Sequence, residues 1–267
     1  MKILRAFSVI LAGLLPAGAG ANPYADNLSV RLVPGWQQSD GSHIVGLELT
    51  MKPGWKTYWR APGDAGVPPV FSWSGSENVA HVDVIWPKPE VFWQNGMRSI
   101  GYSDSVILPL HVRPARGGEV QLDGQLQVGI CSDICVPLGV DLSALTLPGT
   151  TRREPSIAAA MAERPFTGKE AGVRNVSCDV MPSGKKMRLR AQIDVPPTGG
   201  EEVVVIEPRD PSIWVSEAKT TRQGNRLTAE VEMMAMTGGA MMLDRGSLRM
   251  TVVGQTSAVE INGCPAR

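Results

Sequence analysis

The sequence has 267 residues, of which 26 are Lys or Arg and 26 are Asp or Glu, so its formal net charge at pH 7 is zero. This balance argues against nucleic-acid binding and against attraction to an anionic membrane surface. With 29 Gly, 21 Pro and only 19% charged residues, the composition is typical of many short strands joined by turns. The length suits one large β-domain or two of ordinary size.

The N-terminus has the pattern of a secretory signal peptide. Lys2 and Arg5 form a basic start, residues 6–15 form an apolar run, and small residues at 19–21 offer a cleavage site. The apolar run is too short for a membrane span, and no later segment reaches about 20 continuous apolar residues. We therefore predict that residues 1–21 are removed and that the mature protein is exported, soluble and not inserted into a membrane.

Alternating apolar and polar residues predict strands in the first half of the mature chain. Residues 44–49 form one such run before the turn signal at 52–54, and residues 107–112 form another before Pro114. Residues 120–130 also alternate. We interpret Asp123-Gly124 within that run as a turn or a bulge between two short strands.

A change of pattern then predicts a linker and a second β region. Good helix formers follow Pro155, so we expect one short helix in a linker spanning residues 151–164. Alternation resumes over residues 187–252, in four runs spaced as in a sandwich or a small barrel. We predict an all-β protein with domains at 22–150 and 165–267. A single elongated β-domain is the alternative.

Four cysteines allow three disulfide pairings. In one of them Cys131 pairs with Cys135, and Cys178 pairs with Cys264 across a loop of about 86 residues (264 minus 178). Closing a loop of that length contributes about 4–5 kcal/mol in the chain-entropy model. We therefore interpret Cys178 and Cys264 as a structural disulfide that brackets the second β region. The pairings that join the two halves of the chain remain alternatives.

The local pair of Cys131 and Cys135 has a different character. Closing so short a loop stabilises little, and extended backbone must bend to bring the two residues together. A disulfide of this kind is easily reduced, and labile disulfides tend to be regulatory or catalytic. From the residues alone, a local staple, a metal clamp and a redox centre all remain open. Zinc is disfavoured, because none of the three His is close in sequence.

A methionine-rich run gives a second indication of metal binding. Five of the twelve methionines fall within residues 233–242. Thioethers and thiolates are soft ligands that suit Cu(I), so a site made from Cys131, Cys135, Met241 and Met242 is an alternative interpretation. The competing interpretation is that these methionines fill gaps in a core. No other metal or cofactor is predicted, and no arrangement of residues typical of a hydrolase is present.

Several motifs occur together in a specific order. They are Gly54 to Gly66, then Trp86 to Pro89, then Gly101-Tyr102, and finally the run from Cys131 to Pro137. Together they resemble the N-terminal periplasmic domain of the DsbD family of thiol:disulfide interchange proteins. Within that family the chain is most similar to the suppressor-of-copper-sensitivity B branch. The resemblance covers about residues 28–148.

The resemblance implies an immunoglobulin-like β-sandwich in the periplasm that carries a redox-active cysteine pair. The alternating runs after residue 165 predict that a second, smaller β-sandwich-like domain follows it. In the family, the domain with the cysteine pair accepts electrons from a membrane-embedded DsbD-like donor or a thioredoxin-like domain. It passes them to periplasmic oxidoreductases that correct disulfides or serve cytochrome maturation, a reaction like that of a protein-disulfide reductase. By analogy, Cys135 forms the mixed disulfide and Cys131 resolves it. Tyr58 and Trp59 are candidates for shielding the pair, with core packing as the alternative.

Two departures from the family pattern bear on this hypothesis. The best-studied members space the two cysteines more widely than Cys131 and Cys135, so the two roles could be exchanged. Full-length members also continue into membrane helices and a thioredoxin-like domain, so this sequence is expected either to work with a separately encoded membrane partner or to have lost electron throughput. The alternative function is a Cu(I)-binding or copper-tolerance protein without its own electron relay, and a purely structural adaptor comes third.

Overall fold

The computed structural model describes residues 22–64, 66–94, 96–184, 186–238 and 241–266. The predicted signal peptide, residues 1–21, lies outside these ranges. Within them, no helix is long and apolar enough to cross a membrane.

Ten strands form two antiparallel sheets, which we call the first sandwich. A 3-10 turn, Ala25–Asn27, precedes them. The strands are β1 (Leu28–Gln37), β2 (His43–Met51), β3 (Lys56–Tyr58), β4 (Val70–Ser72), β5 (Val79–Val84), β6 (Glu90–Gln94), β7 (Met97–Ser103), β8 (Ser105–Pro114), β9 (Gln121–Cys131) and β10 (Cys135–Thr146). One sheet has the order β1-β2-β8-β5, and the other has the order β10-β9-β3-β7-β6 with β4 paired to β9. The facing sides of the two sheets bury a continuous apolar core. Strand β10 lies at the edge of its sheet.

In the described part of the chain, one α-helix, α1 (Pro155–Ala162), follows the first sandwich. Proline at the first helical position fits this start, because its missing N–H needs no partner there. Ile157 is fully buried against Val33, Trp36 and Ile44 of β1 and β2. The helix is thereby docked on the first sandwich.

The remaining strands form a second, smaller sandwich. They are β11 (Phe166–Thr167), β12 (Asn175–Ser183), β13 (Lys186–Asp194), β14 (Val203–Glu207), β15 (Ile213–Val215), β16 (Lys219–Gln223), β17 (Arg226–Ala235), β18 (Arg249–Val253) and β19 (Ala258–Asn262). A second 3-10 turn, Arg245–Ser247, precedes β18. One sheet has the order β11-β19-β18-β14, and the other has the order β12-β13-β17-β15 with β16 paired to β17. The two sheets enclose their own apolar core.

The predicted all-β class and the single linker helix are confirmed. Asp123-Gly124 is interpreted from the sequence as a turn or a bulge between two short strands, and the turn is wrong. Strand β9 runs through both residues without interruption. Gly124 instead allows β4 to approach, because a methyl group at this position would lie 2.2 Å from the carbonyl oxygen of Ser72. The irregularity is in the partner strand, where the register of β10 shifts between Leu142 and Leu145.

The two sandwiches are in direct contact. Val203, in β14, is buried within the core cluster of the first sandwich, and Val205 packs against the same cluster. Beside this apolar contact, Arg60 of the first sandwich bonds to carboxylates of the second. The domain boundaries predicted from the sequence, at residues 150 and 165, remain a prediction.

Candidate functional site

The cysteines of the local pair are joined by a disulfide at the tip of a β-hairpin. Cys131 ends β9, Cys135 begins β10, and the two residues are directly opposite each other with a Cα–Cα distance of 4.1 Å. Their strands are connected by three residues, and the N–H of Ser132 donates to the carbonyl oxygen of Ile134 at 3.0 Å. Opposed residues of an antiparallel pair lie about 4.5–5.5 Å apart. The hairpin thus supplies the bend that the short ring requires.

The two cysteines differ in accessibility. Cys131 is only 4% exposed, whereas Cys135 is an exposed residue at the start of the edge strand β10. A thiolate from another protein must reach a sulfur atom to attack it. Cys135 is therefore the member of the pair that a partner can approach.

Tyr58 contacts the disulfide directly. Its hydroxyl donates to the Sγ atom of Cys135 at 3.1 Å, although the residue as a whole is only 3% exposed. The ring fits between two glycines: a methyl group at Gly129 would lie 2.9 Å from two ring carbons, and one at Gly66 would lie 2.8 Å from another. Burial raises the pKa of Tyr58, so the group stays a protonated donor at neutral pH.

A lysine lies on the strand next to Cys131. Lys56 is directly opposite Cys131 in the β3–β9 ladder, and burial lowers the pKa of its ammonium group. Its Nζ atom donates to the Oε1 atom of Gln94 at 3.2 Å and lies 4.8 Å from the centre of the Phe92 ring. Gln94 in turn donates from Nε2 to the carbonyl oxygen of Ser132 at 3.0 Å. These bonds attach β6 to the loop that carries the disulfide.

An aromatic groove of about 690 Å³ runs beside the hairpin tip. Trp55, Phe92 and Trp93 line it, together with Ser132 and Asp133 of the loop. Trp93 is 55% exposed, and Ile134 at the hairpin tip is 45% exposed. Exposed apolar side chains thus lie both in the groove and at the hairpin tip.

Of the two residues predicted to shield the pair, only Tyr58 lies against it. Trp59 is completely buried in the core of the first sandwich. Successive residues of extended backbone point to opposite faces of a sheet, which separates these two neighbours. Trp59 instead supports Arg60, whose guanidinium carbon lies 4.1 Å from the centre of the indole ring.

The second disulfide joins Cys178 and Cys264, with a Cα–Cα distance of 5.5 Å. Cys178 is 1% exposed and Cys264 is fully buried, and both belong to the core of the second sandwich. Cys178 lies inside β12, after β11, so the disulfide does not bracket every strand of the second β region as predicted. The bond fastens β12 to the segment after β19.

The structure does not bring the suggested copper ligands together. Met241 packs against the core of the second sandwich, and Met242, which is 92% exposed, borders a groove with Pro208 and Asp210. Both therefore lie on the second sandwich, while the Cys131–Cys135 disulfide lies on the first. Among the described residues, no group of three or more His, Cys, Asp or Glu is arranged to hold a metal ion. Copper binding stays a prediction.

Sequence reasoning missed Lys56, Gln94 and the two glycines that receive the Tyr58 ring. Lys56 and Tyr58 share one face of a short strand because they are two residues apart. That alternation is visible in the sequence. The register that places Lys56 opposite Cys131 and Tyr58 over Gly129 is set by long-range pairing, for which the local sequence carries no signal.

Residues 29–147 match the family model described as "Thiol:disulfide interchange protein DsbD, N-terminal". The match falls on the first sandwich, so this part of the chain is similar to the N-terminal domain of the DsbD family, and the resemblance predicted from the sequence motifs is confirmed.

Among solved structures, the chain is similar to the N-terminal periplasmic domain of ScsB from Proteus mirabilis. The two share 24% sequence identity and a TM-score of 0.68, with 94% of this chain and 98% of that chain covered. The shared fold thus extends over the second sandwich. A protein of unknown function from Porphyromonas gingivalis matches at 11% identity over 88% of this chain and 99% of that one, but its TM-score of 0.24 carries no structural argument. No curated protein matches the chain.

Proposed function

We propose that this protein is a periplasmic thiol–disulfide exchange module whose Cys131–Cys135 pair cycles between disulfide and dithiol. The observation that carries the proposal is the position of the bond: it lies at an exposed hairpin tip, with a phenolic hydroxyl on the sulfur of Cys135. The match of residues 29–147 to the N-terminal domain model of a thiol:disulfide interchange family supports it. The location is supported by the periplasmic origin of the ScsB domain that shares the fold.

The proposed reaction transfers two electrons in two substitution steps. A thiolate of a reduced partner attacks the Sγ atom of Cys135, a mixed disulfide forms, and Cys131 leaves as a thiolate. The second thiol of the partner then attacks the mixed disulfide and releases Cys135, so the partner is oxidised and this protein holds the dithiol. Running the same steps in reverse on an oxidised partner passes the electrons on. The burial of Cys131 and the exposure of Cys135 favour Cys135 as the residue that joins the partner.

Two neighbouring groups suit this chemistry. The Tyr58 hydroxyl donates a hydrogen bond to Cys135, and such a bond is stronger when the sulfur is a thiolate, which lowers the pKa of the thiol. Lys56 is directly opposite Cys131 on the neighbouring strand, and a positive charge close to a thiol favours its thiolate, the form in which Cys131 leaves in the first step. The hydrogen bond from Tyr58 favours the charged form of Cys135.

The partners that we propose are a membrane-embedded or thioredoxin-like electron donor and periplasmic oxidoreductases that accept the electrons. The exposed side chains of Trp93 and Ile134 support docking of another protein near the hairpin tip. Aromatic side chains in the adjoining groove are the residue types that most often anchor such contacts.

A thiol-transfer assay tests the proposal. The oxidised protein is mixed with a reduced thioredoxin-like protein, and the appearance of free Cys131 and Cys135 is followed by thiol labelling and mass spectrometry. We expect rapid transfer, abolished in the Cys131→Ala/Cys135→Ala variant and retained in a folded Cys178→Ala/Cys264→Ala variant. Transfer that requires the second pair, or no transfer with the first pair intact, contradicts the proposal.

A further inference from the structure

The residue that touches the reactive sulfur leads directly into a segment attached to the other sandwich. Tyr58 ends β3, and residues 59–64 and 66–69, which we call the covering segment, follow it. Gly66 of this segment lies against the Tyr58 ring, and Val67 lies beside Gly129, which the same ring contacts. The covering segment therefore helps to hold Tyr58 in place over the hairpin.

Arg60 fixes the covering segment to the second sandwich. Its Nε and Nη2 atoms donate to the two carboxylate oxygens of Glu207 at 3.1 and 3.0 Å. Nη2 also donates to Glu260 at 2.9 Å and to the hydroxyl of Thr251 at 3.3 Å. One guanidinium group thus bonds to three side chains from β14, β18 and β19. The Arg60 side chain is only 11% exposed, so it gives up hydration that these partners replace.

This arrangement resists displacement in two ways. The guanidinium is held between the Trp59 ring and the carboxylates, and a planar fork matches a carboxylate better than a single ammonium would. Glu207 also accepts a hydrogen bond from Arg249 at 2.9 Å, which fixes the carboxylate itself. Removing one member of a buried charge pair is strongly unfavourable because the other charge is left uncompensated.

The covering segment also packs against β7 of the first sandwich. Gly63 lies against the backbone of Arg98 in β7, since a methyl group at Gly63 would be 3.1 Å from the carbonyl oxygen of Arg98. The Arg98 side chain is 3.7 Å from a carboxylate oxygen of Glu217, on the second sandwich. The covering segment therefore packs on β7 of the first sandwich. Arg60 within the segment and Arg98 beneath it each contact a carboxylate of the second sandwich.

We propose that the second sandwich sets the reactivity of Cys135 by holding Tyr58 in place through Arg60. Arg60 is a positioning residue: it does not touch the disulfide, and it acts through Tyr58, with Glu207 and Glu260 as its anchors. When Arg60 is detached, the Tyr58 ring loses its fixed position and the hydrogen bond to the thiolate of Cys135 weakens. The inference rests on the proposed exchange function, and it gives the second sandwich a role in the chemistry of the first.

The test is the pH dependence of alkylation of Cys135 in the reduced full chain, read by mass spectrometry. Loss of a hydrogen bond to a charged group corresponds to a shift of about one pH unit in the midpoint. We expect Arg60→Met and Tyr58→Phe each to raise the midpoint by about this amount. Arg60→Lys should restore part of the shift, because it keeps the charge but not the fork. Arg190→Met is the matched control, since Arg190 pairs with Glu230 on the surface of the same sandwich.

The double variant Arg60→Met/Tyr58→Phe decides between a positioning role and a general loss of stability. If Arg60 acts through Tyr58, the double variant has the same midpoint as Tyr58→Phe alone. Additive shifts, or an unchanged midpoint in folded Arg60→Met, overturn the proposal. If Arg60→Met does not fold, Glu260→Gln removes one anchor only, and it should raise the midpoint by a smaller amount that also vanishes without Tyr58. Failure of the exchange function is recognised separately, because wild-type Cys131–Cys135 would then resist reduction.

Discussion

The two disulfides of this protein occupy opposite environments. Cys178 and Cys264 are 86 residues apart in the sequence and lie in the core of the second sandwich, almost without exposure to solvent. Cys131 and Cys135 are four residues apart, and they join neighbouring strands at a hairpin tip where Cys135 is exposed. The Cys178–Cys264 bond constrains a large part of the unfolded chain, while the Cys131–Cys135 bond constrains almost none of it.

The comparison separates a structural disulfide from an exchangeable one by two physical quantities: the length of the loop that the bond closes and the access to its sulfur atoms. A bond that stabilises little and can be reached by a partner is free to open and close without unfolding the protein. The surroundings of Cys135 add a third difference, because a hydrogen-bond donor is held on its sulfur by Tyr58.

The largest expected effect is on stability. In the chain-entropy model, removing the Cys178–Cys264 bond with alanines costs about 4.6 kcal/mol, whereas removing Cys131–Cys135 costs about 2 kcal/mol. Urea unfolding of the two double variants, followed by circular dichroism, measures both values. Equal losses would mean that loop length does not distinguish the two bonds.

The packing of Tyr58 is tested by Gly129→Ala. The added methyl group would lie 2.9 Å from the ring, so the ring must move, and we expect a loss of about 1–3 kcal/mol in the free energy of unfolding. Gly149→Ala is the matched control, since a methyl group there meets nothing within 4 Å. A neutral Gly129→Ala variant would show that the ring is not confined.

The difference between the two cysteines of the reactive pair is tested with single variants. We expect the lone thiol of Cys131→Ser, which is Cys135, to react with glutathione disulfide at least about tenfold faster than the lone thiol of Cys135→Ser, because buried thiols react slowly. Stopped samples analysed by mass spectrometry give both rates. A faster Cys131 would make Cys131 the residue that joins the partner. Equal rates would contradict a difference between the two cysteines.

The smallest effect concerns acid stability of the second sandwich. Burial opposes ionisation of Glu202, but hydrogen bonds from Arg222 and Thr198 outweigh it and hold the pKa of Glu202 below its usual value. A lowered pKa in the folded state means that this stabilisation is present above the ordinary pKa of about 4.5 and is lost as pH falls through the folded value. The stability difference between wild type and Glu202→Gln should therefore shrink below about pH 4.5 in urea unfolding at several pH values. A difference that is constant with pH would contradict this.

Much of the fold could be predicted from local pattern. Period-2 alternation located β2, β8, β13 and β17, and helix formers after Pro155 located α1. The sequence failed at Asp123-Gly124, because a glycine that admits a neighbouring strand has the same local signature as a turn glycine. The distinction depends on β4, which is some 50 residues earlier in the chain and is brought alongside only by folding.

The site was only partly predictable for the same reason. The cysteine pair is visible because its spacing is local. The contacts that suit it for exchange are not: Tyr58 reaches Cys135 across 77 residues of sequence, and Arg60 reaches Glu207 across 147. Such contacts depend on sheet register and on how two sandwiches meet, neither of which leaves a periodic signal in one sequence.

A redox titration tests the central claim most directly. The full chain is equilibrated in glutathione buffers of known potential, its free thiols are labelled, and each cysteine is quantified by mass spectrometry. We expect Cys131 and Cys135 to become reduced at potentials where Cys178 and Cys264 stay oxidised, since structural disulfides resist reduction down to about −300 mV. Reduction of both pairs at the same potential, or of the buried pair first, would contradict the assignment of Cys131–Cys135 as the exchangeable disulfide.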